Sequence, residues 1–201
     1  MLDQIIITKE IETMKIVAFN AGHDVGVDPG AVSPVRPEIG DYIYTEEAKY
    51  VLAVAKDCKE LWENQMGQKG IVIQDDDLGF VCQASNDAGA DVFVSIHCNS
   101  FGQPSANGVE TLYFSESGKE LASIMQNELL YRCQRYNRGI KYRGDLWVLK
   151  GTDAPAILVE IGFISNPAEE AEMNKESFKR DLAIAICNAL ALYLGVEPFK
   201  G

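Results

Sequence analysis

Asp91-Val-Phe-Val-Ser-Ile-His97-Cys-Asn99 is the stretch on which the reading of this chain turns. It is an apolar run rich in β-branched and aromatic residues, closed by a histidine, and it reads as a buried strand over Asp91–His97. Two further runs resemble it. Lys15-Ile-Val-Ala-Phe-Asn20 is followed by Ala-Gly-His23, and Ala156-Ile-Leu-Val-Glu160-Ile-Gly-Phe carries a carboxylate in an otherwise apolar segment. Additional strand signals lie at Gly70–Gln74, Val109–Phe114 and Asp145–Leu149. Helix signals fall between them at Glu46–Asn64, Gly79–Ala88, Ser117–Arg132 and Glu176–Leu194. The last helix places Phe178, Leu182, Ala185, Ile186, Ala189 and Tyr193 on one face and stops at Gly195. Gly22–Tyr44 has many Gly and Pro and no period, so it reads as a long functional loop.

Strand and helix in alternation imply an α/β fold: a single domain with a mostly parallel twisted sheet of about six strands and helices on both faces. Such sheets place ligand sites beyond the carboxyl ends of their strands. His23, His97 and Glu160 all fall at such ends, and the chain has two histidines in total. A fourth group comes from the first helix. Val51, Val54, Ala55, Cys58, Leu61 and Trp62 define its buried face. Glu47 lies four residues before Val51 and seven before Val54, so it belongs to that face, whereas Glu46 points away. A carboxylate on the core side of a first helical turn is costly without a cation or metal, and the helix N-terminus favours its ionised form. Imidazole nitrogen plus carboxylate oxygen is the ligand set of a catalytic zinc site. His23, Glu47 and His97 are therefore expected as ligands of one Zn2+ per chain. Glu160, flanked by apolar residues on both sides, is expected to have a chemical task.

The totals bound the function. The chain has 201 residues, 47% apolar and 24% charged, with a formal net charge of −12. That length suits one domain, and the charge argues against a nucleic-acid partner. No apolar stretch is long enough for a membrane span. The N-terminus lacks the features of a secretory signal, so the expectation is a protein made in the cytoplasm that acts after release or export. Residues 1–13 read as an extension, with Met14 an alternative start, 14–195 as the domain and 196–201 as a tail. The five cysteines form no close pairs and read as free thiols. Cys98 beside His97 is poorly placed as a nucleophile, because neighbours on a strand face opposite ways. Asp75-Asp76-Asp77 lacks the spacing of a calcium loop and reads as a solvated turn. Arg132, Arg135, Arg138, Lys141 and Arg143 form a basic stretch. A solvated helix end and loop is its favoured reading, and a rim that meets a substrate carboxylate is the other.

From about Met14 to Leu194 the chain resembles the catalytic domain of zinc-dependent N-acetylmuramoyl-L-alanine amidases of the third type. The resemblance rests on Asn20-Ala-Gly-His23, Asp28-Pro-Gly-Ala31, the helix opening at Glu47, Ala90–Asn99, Gly108-Val-Glu-Thr-Leu-Tyr113 and Pro155–Asn166. By position it implies zinc ligands at His23, Glu47 and His97 and a catalytic glutamate at Glu160. It implies hydrolysis of the amide between N-acetylmuramic acid and L-alanine of the stem peptide by zinc-activated water, with Glu160 as general base and then acid. The substrate is then peptidoglycan or a muropeptide. Asn99 and Asn166 are expected as substrate contacts or loop anchors. Two departures stand out: Asp24 where the family commonly has a second Gly, and no Arg in Phe80–Asn86. A wall-binding or regulatory module without chemistry is the alternative, as is an amidase confined to soluble muropeptides. The setting fits a phage or prophage endolysin, a sporulation lytic enzyme, or a secreted protein whose leader is missing. The oligomeric state stays open.

Overall fold

The computed structural model describes residues 13–34 and 44–201. Almost all of the expected extension (1–13) and part of the long loop (35–43) thus lie outside the described residues. The element order is β1 (Ile16–Ala21), α1 (Glu47–Asn64), β2 (Lys69–Ile73), α2 (Leu78–Asp87), β3 (Val92–Asn99), β4 (Val109–Tyr113), α3 (Glu116–Cys133), β5 (Asn137–Tyr142), α4 (Trp147–Lys150), β6 (Ala156–Phe163), α5 (Pro167–Met173) and α6 (Glu176–Leu194). The strands form one six-stranded sheet in the order β2-β1-β3-β6-β4-β5. β2, β1, β3 and β6 run parallel, and β4 pairs antiparallel to β6 and parallel to β5. The sheet is therefore mostly parallel, with helices on both faces, as the alternation predicts.

Strand alternation divides the core in two. Val17, Phe19, Val94, Ile96, Val159 and Ile161 face a large cluster built with α1, α3 and α6. Ala18, Phe93, Leu112, Ala156 and Leu158 face a smaller one built with α2 and α4. Three helices of 18 or 19 residues cover the first face. A ten-residue helix and a four-residue helix cover the second. The second face is consequently left open toward the ends of β1, β3 and β6, and the site lies there. Each large side chain such as Phe19 or Trp62, both fully buried, contributes about 2–3 kcal/mol through the water it sheds.

One expected strand is corrected. Asp145–Leu149 does not enter the sheet: Trp147–Lys150 is the short helix α4, with Val148 and Leu149 both buried. A strand facing one layer cannot bury two consecutive side chains on the same side, but a helical turn can. The sixth strand is instead β5, within the basic stretch read as a loop. It is an edge strand whose apolar contribution to the core is Ile140, so its pattern is polar. α5 was also unexpected, although Asn166-Pro167 is a helix-start signal: the Asn166 side chain accepts from Ala168 N and Glu169 N. Among the described residues the five cysteines are free, and no helix is long and apolar enough to cross a membrane.

Candidate metal centre and active site

The site begins with how the chain enters α1. Glu46 at the N-cap makes no side-chain cap. Backbone carbonyls of the preceding loop replace it: Glu47 N–H donates to Ala31 O (2.9 Å) and Ala48 N–H to Pro29 O (3.1 Å). This satisfies two of the helix's orphan donors and fixes the loop carrying His23 against the helix carrying Glu47. Glu47 is 3% exposed. Its Oε2 accepts from Ala31 N–H (2.8 Å) and its Oε1 from Cys98 N–H (2.9 Å), so both oxygens are held in place.

The two imidazoles converge on this carboxylate. His23 Nε2 lies 3.2 Å from Glu47 Oε2, and His97 Nδ1 lies 3.0 Å from Glu47 Oε1. The rings stand edge to face with centroids 5.1 Å apart. One donor atom from each of His23, Glu47 and His97 lies within 4.8 Å of the others, the one such group among the described residues. Tetrahedral ligands at about 2.0–2.1 Å from zinc sit roughly 3.4 Å from one another, so the spacing suits a single metal ion. Glu47 hydrogen bonding raises His23 to about 9, against the lowering effect of burial. Burial pushes Glu47 upward, but its hydrogen bonds from His23 and His97 prevail and hold it at about 2.

The backbone around the donors leaves no room for larger residues. A Cβ at Gly22 would overlap the His97 ring, and one at Gly30 (φ 65°) would meet both the His23 ring and Glu47 Oε2. His23 itself has φ 62°, a left-handed conformation that costs a non-glycine residue about 1 kcal/mol or more. It is held by the Asp24–Asp28 bridge (2.9 and 3.1 Å). That bridge also sets the Asp28 carboxylate 2.6 Å from His23 Nδ1, which keeps Asp28 below the usual carboxylate range. Nδ1–H donating to a carboxylate leaves Nε2 free to face a metal. Asp28 was missed in the sequence as a site residue, although it opens the Asp-Pro-Gly-Ala motif. Asp24, where the family commonly has Gly, contributes through its backbone bridge.

Glu160 sits beside His97 in the β3–β6 register and opposite Glu110 in the β6–β4 register. By alternation it shares the half-covered face with Leu158 and Ala156. Its Oε2 is buried and has no hydrogen-bond partner. Burial, reinforced by the neighbouring Glu47 and Glu110 charges and opposed by His97, pushes it up to about 7. A carboxyl group poised near neutrality beside three side chains that could hold a metal is suited to proton transfer. A cavity of about 340 Å³ opens on His23 and His97, bounded by Asp28, Asp75, Leu78 and Trp147. A larger cleft of about 580 Å³ between α1 and α6 lies on the other side of the sheet, away from these groups.

Other expected residues have different surroundings. Asn99 Nδ2 donates to Glu110 Oε1 (3.0 Å) and its Oδ1 accepts from Ser100 N–H (2.8 Å). Asn166 caps α5, and its Nδ2 donates to Ala106 O (3.1 Å). Cys98 is buried in the larger core cluster, and burial pushes its thiol well up. Asp77 caps α2, accepting from Gly79 N–H and Phe80 N–H, while Asp75 and Asp76 line the cavity. Besides Asp28, the acids Glu110 and Glu169 were not singled out from the sequence. Glu110 is buried on β4 and paired to Arg138 and Lys141. Glu169, also buried, accepts from Gly108 N–H (2.9 Å) and Phe163 N–H (2.8 Å), tying the start of β4 to the end of β6. The signal used for Glu160, an acid among apolar strand residues, was present for Glu110 in Gly-Val-Glu-Thr-Leu.

Comparison with known proteins places this geometry. The profile of the N-acetylmuramoyl-L-alanine amidase family matches residues 17–191. The catalytic domain of CwlV, an N-acetylmuramoyl-L-alanine amidase from Bacillus (Paenibacillus) polymyxa var. colistinus, superimposes with a TM-score of 0.82 at 32% identity. The match covers 92% of this chain and all of that one (100%). A probable cell wall amidase, LytH of Staphylococcus epidermidis, is 30% identical over 179 residues, which is 89% of this chain and 58% of LytH. The Bacillus subtilis protein YqiI is 32% identical over 188 residues, covering 89% of this chain and 84% of YqiI. The chain thus spans little more than half the length of the LytH relatives it matches. With the profile spanning nearly the whole described domain, the chain belongs to the N-acetylmuramoyl-L-alanine amidase family.

Proposed function

We propose that this protein is a zinc-dependent peptidoglycan hydrolase that cleaves the amide between N-acetylmuramic acid and the L-alanine of the stem peptide. The observation that carries this reading is the convergence of His23, Glu47 and His97 donors within 4.8 Å, next to Glu160 with a buried, unpartnered oxygen. Family membership supports the substrate class. Zinc held by the three residues would polarise the scissile carbonyl and acidify a water near neutral pH. Asp28 holds the proton on His23 Nδ1 and so presents Nε2. Glu47, fixed by two backbone N–H groups, keeps its charge on the metal side. Glu160 takes a proton from the attacking water and delivers it to the alanine nitrogen as the C–N bond breaks. No covalent acyl-enzyme is required. We assign Asn99 and Asn166 to the framework around the site rather than to substrate contact, because their amides are already engaged. The catalytic unit is residues 14–195, acting on the wall after release or export.

The test is release of alanine amino groups from purified peptidoglycan and from soluble muropeptides. It is run with chelator, with zinc add-back, and with Glu160→Gln. Release that needs zinc and vanishes in a variant still binding one equivalent of zinc is the expected result. Release undiminished by Glu160→Gln removes the assigned base. A fully metallated protein that releases nothing from either substrate is a wall-binding module instead. Activity on muropeptides alone would restrict the substrate to soluble fragments.

A further inference from the structure

The half-covered face carries a row of charged side chains that the reaction above does not use in full. His97, Glu160 and Glu110 occupy paired positions on β3, β6 and β4. Beyond them, on the edge strand β5, Arg138 Nε lies 3.3 Å from Glu110 Oε2 and Lys141 pairs with the same oxygen. Two cations therefore meet one acid. Glu110 is nearly buried (its side chain is 10% exposed), whereas Arg138 and Lys141 remain 31% and 44% exposed. Around Glu110 itself one positive charge is left over, which Glu160 on the next strand offsets only when ionised, and the cationic ends reach solvent. This occurs in a chain of net charge −12, where residues 132–143 hold five of the 18 Lys and Arg and no acid. A buried acid needs one cation for neutralisation. Arg138 is anchored further by Asn107 O (3.3 Å) and by the Phe163 ring, so Lys141 is the cation that neutralising Glu110 does not require.

We propose that Arg138 and Lys141, gathered by Glu110, form an anion subsite for a carboxylate carried by the second residue of the stem peptide. This rests on the hydrolytic reading above, which also sets the direction. If Glu160 protonates the leaving nitrogen, the departing peptide lies on the Glu160 side of the metal ligands. It must then run over β4 toward β5. The opposite end of the site, with Asp28, Asp75 and Asp76, repels a carboxylate. Adjacent strands are about 4.8 Å apart, so Glu110 is one spacing from Glu160 and the cations reach back to it. An extended residue spans about 3.5 Å. The recognised group therefore sits one to two residues beyond the scissile bond. Alanine has no carboxylate side chain, which leaves the residue after it.

The probe is a pair of muramyl-L-alanyl-D-glutamyl peptides with the γ end blocked as an amide. They differ only in having the α-carboxyl free or amidated. Affinity is measured by calorimetry on the zinc-loaded Glu160→Gln protein, and turnover separately on the native one. The free acid should bind at least about tenfold more tightly, the scale of a charge-assisted contact. Adding Lys141→Gln or Arg138→Gln should reduce that ratio below about threefold. Arg138 also lies over the Phe163 ring, so Lys141→Gln, at a more exposed position, decides if Arg138→Gln does not fold. Equal affinities in the parent, no measurable binding of either peptide, or a ratio that survives Lys141→Gln overturns the subsite. A second pair, with the α-carboxyl amidated and the γ end free or blocked, shows whether the chain terminus is read instead, which also overturns it. A native enzyme that binds with the expected preference yet cleaves neither peptide would sink the hydrolytic reading and leave the subsite standing. Cleavage of both at equal kcat/KM with equal affinity would do the reverse.

Discussion

His23 shows how much of the proposed metal centre is set by residues outside the ligand set. Its ring is aimed by a 2.6 Å contact from Asp28 and its backbone is held at φ 62°. Replacing Asp28 with Asn keeps the shape and removes the charge that orients Nδ1–H. Zinc affinity should fall by about 10–100-fold with the fold intact, read by chelator competition alongside circular dichroism; an unchanged affinity would remove Asp28 from the site. Glu160 carries a second residue-level consequence. Its folded-state pKa of about 7 lies above the ordinary 4.5. The folded protein therefore holds this proton more tightly than the unfolded chain, and the associated stability is full below about pH 4.5 and lost as pH rises through 7. Glu160→Gln should remove that loss. In chelated protein its stability relative to the native chain should climb between pH 4.5 and 8, by on the order of 3 kcal/mol. Denaturant unfolding that shows a pH-independent difference would contradict this. At this scale the sequence was informative about ligand types and the Glu47 face. It was silent about Asp28, because a carboxylate five residues from a histidine has no period to announce it.

At the scale of elements, legibility followed burial. β1, β3 and β6 are interior strands with long apolar runs, and α1 and α6 present continuous apolar faces, so pattern and structure agree. β5 and α4 were misread for opposite reasons. β5 is an edge whose side chains are mostly polar, leaving Ile140 as its core contact. Leu146-Trp-Val-Leu149 is an apolar run too short for periodicity to distinguish strand from helical turn. α5 is seven residues long, and its identity rests on the cap. The Asn166 amide both caps α5 and ties down Ala106. Asn166→Ala should therefore lower stability by about 1 kcal/mol. If the residue is framework, KM for muropeptide should move less than about twofold. A variant of native stability with a large rise in KM would return Asn166 to the substrate.

The whole molecule is a sheet clothed unequally, with three long helices on one face and two short ones on the other. The uncovered part of the second face is where the charged row and the cavity lie. With a net charge of −12, the protein should be repelled by an anionic wall at low ionic strength. Screening lengths shrink to about 8–10 Å at 0.10–0.15 M salt. Turnover of intact sacculi should accordingly rise several-fold from 10 to 150 mM salt, and turnover of a neutral soluble muropeptide should change little. Equal salt responses would mean that net charge plays no part in reaching the substrate. The sequence by itself determined the α/β class, the interior strands, the His and Glu residues that the fold gathers into one cluster, and the side of the first helix that Glu47 occupies. These depend on local periodicity and on the cost of burying charge. Only the tertiary structure decided the strand order, the reversal of β4 and the identity of the edge. It alone set Glu110 opposite Glu160 and brought Asp28 onto His23. Those depend on which distant segments pair and on how a loop closes, and contacts between distant segments leave no period in the chain that makes them.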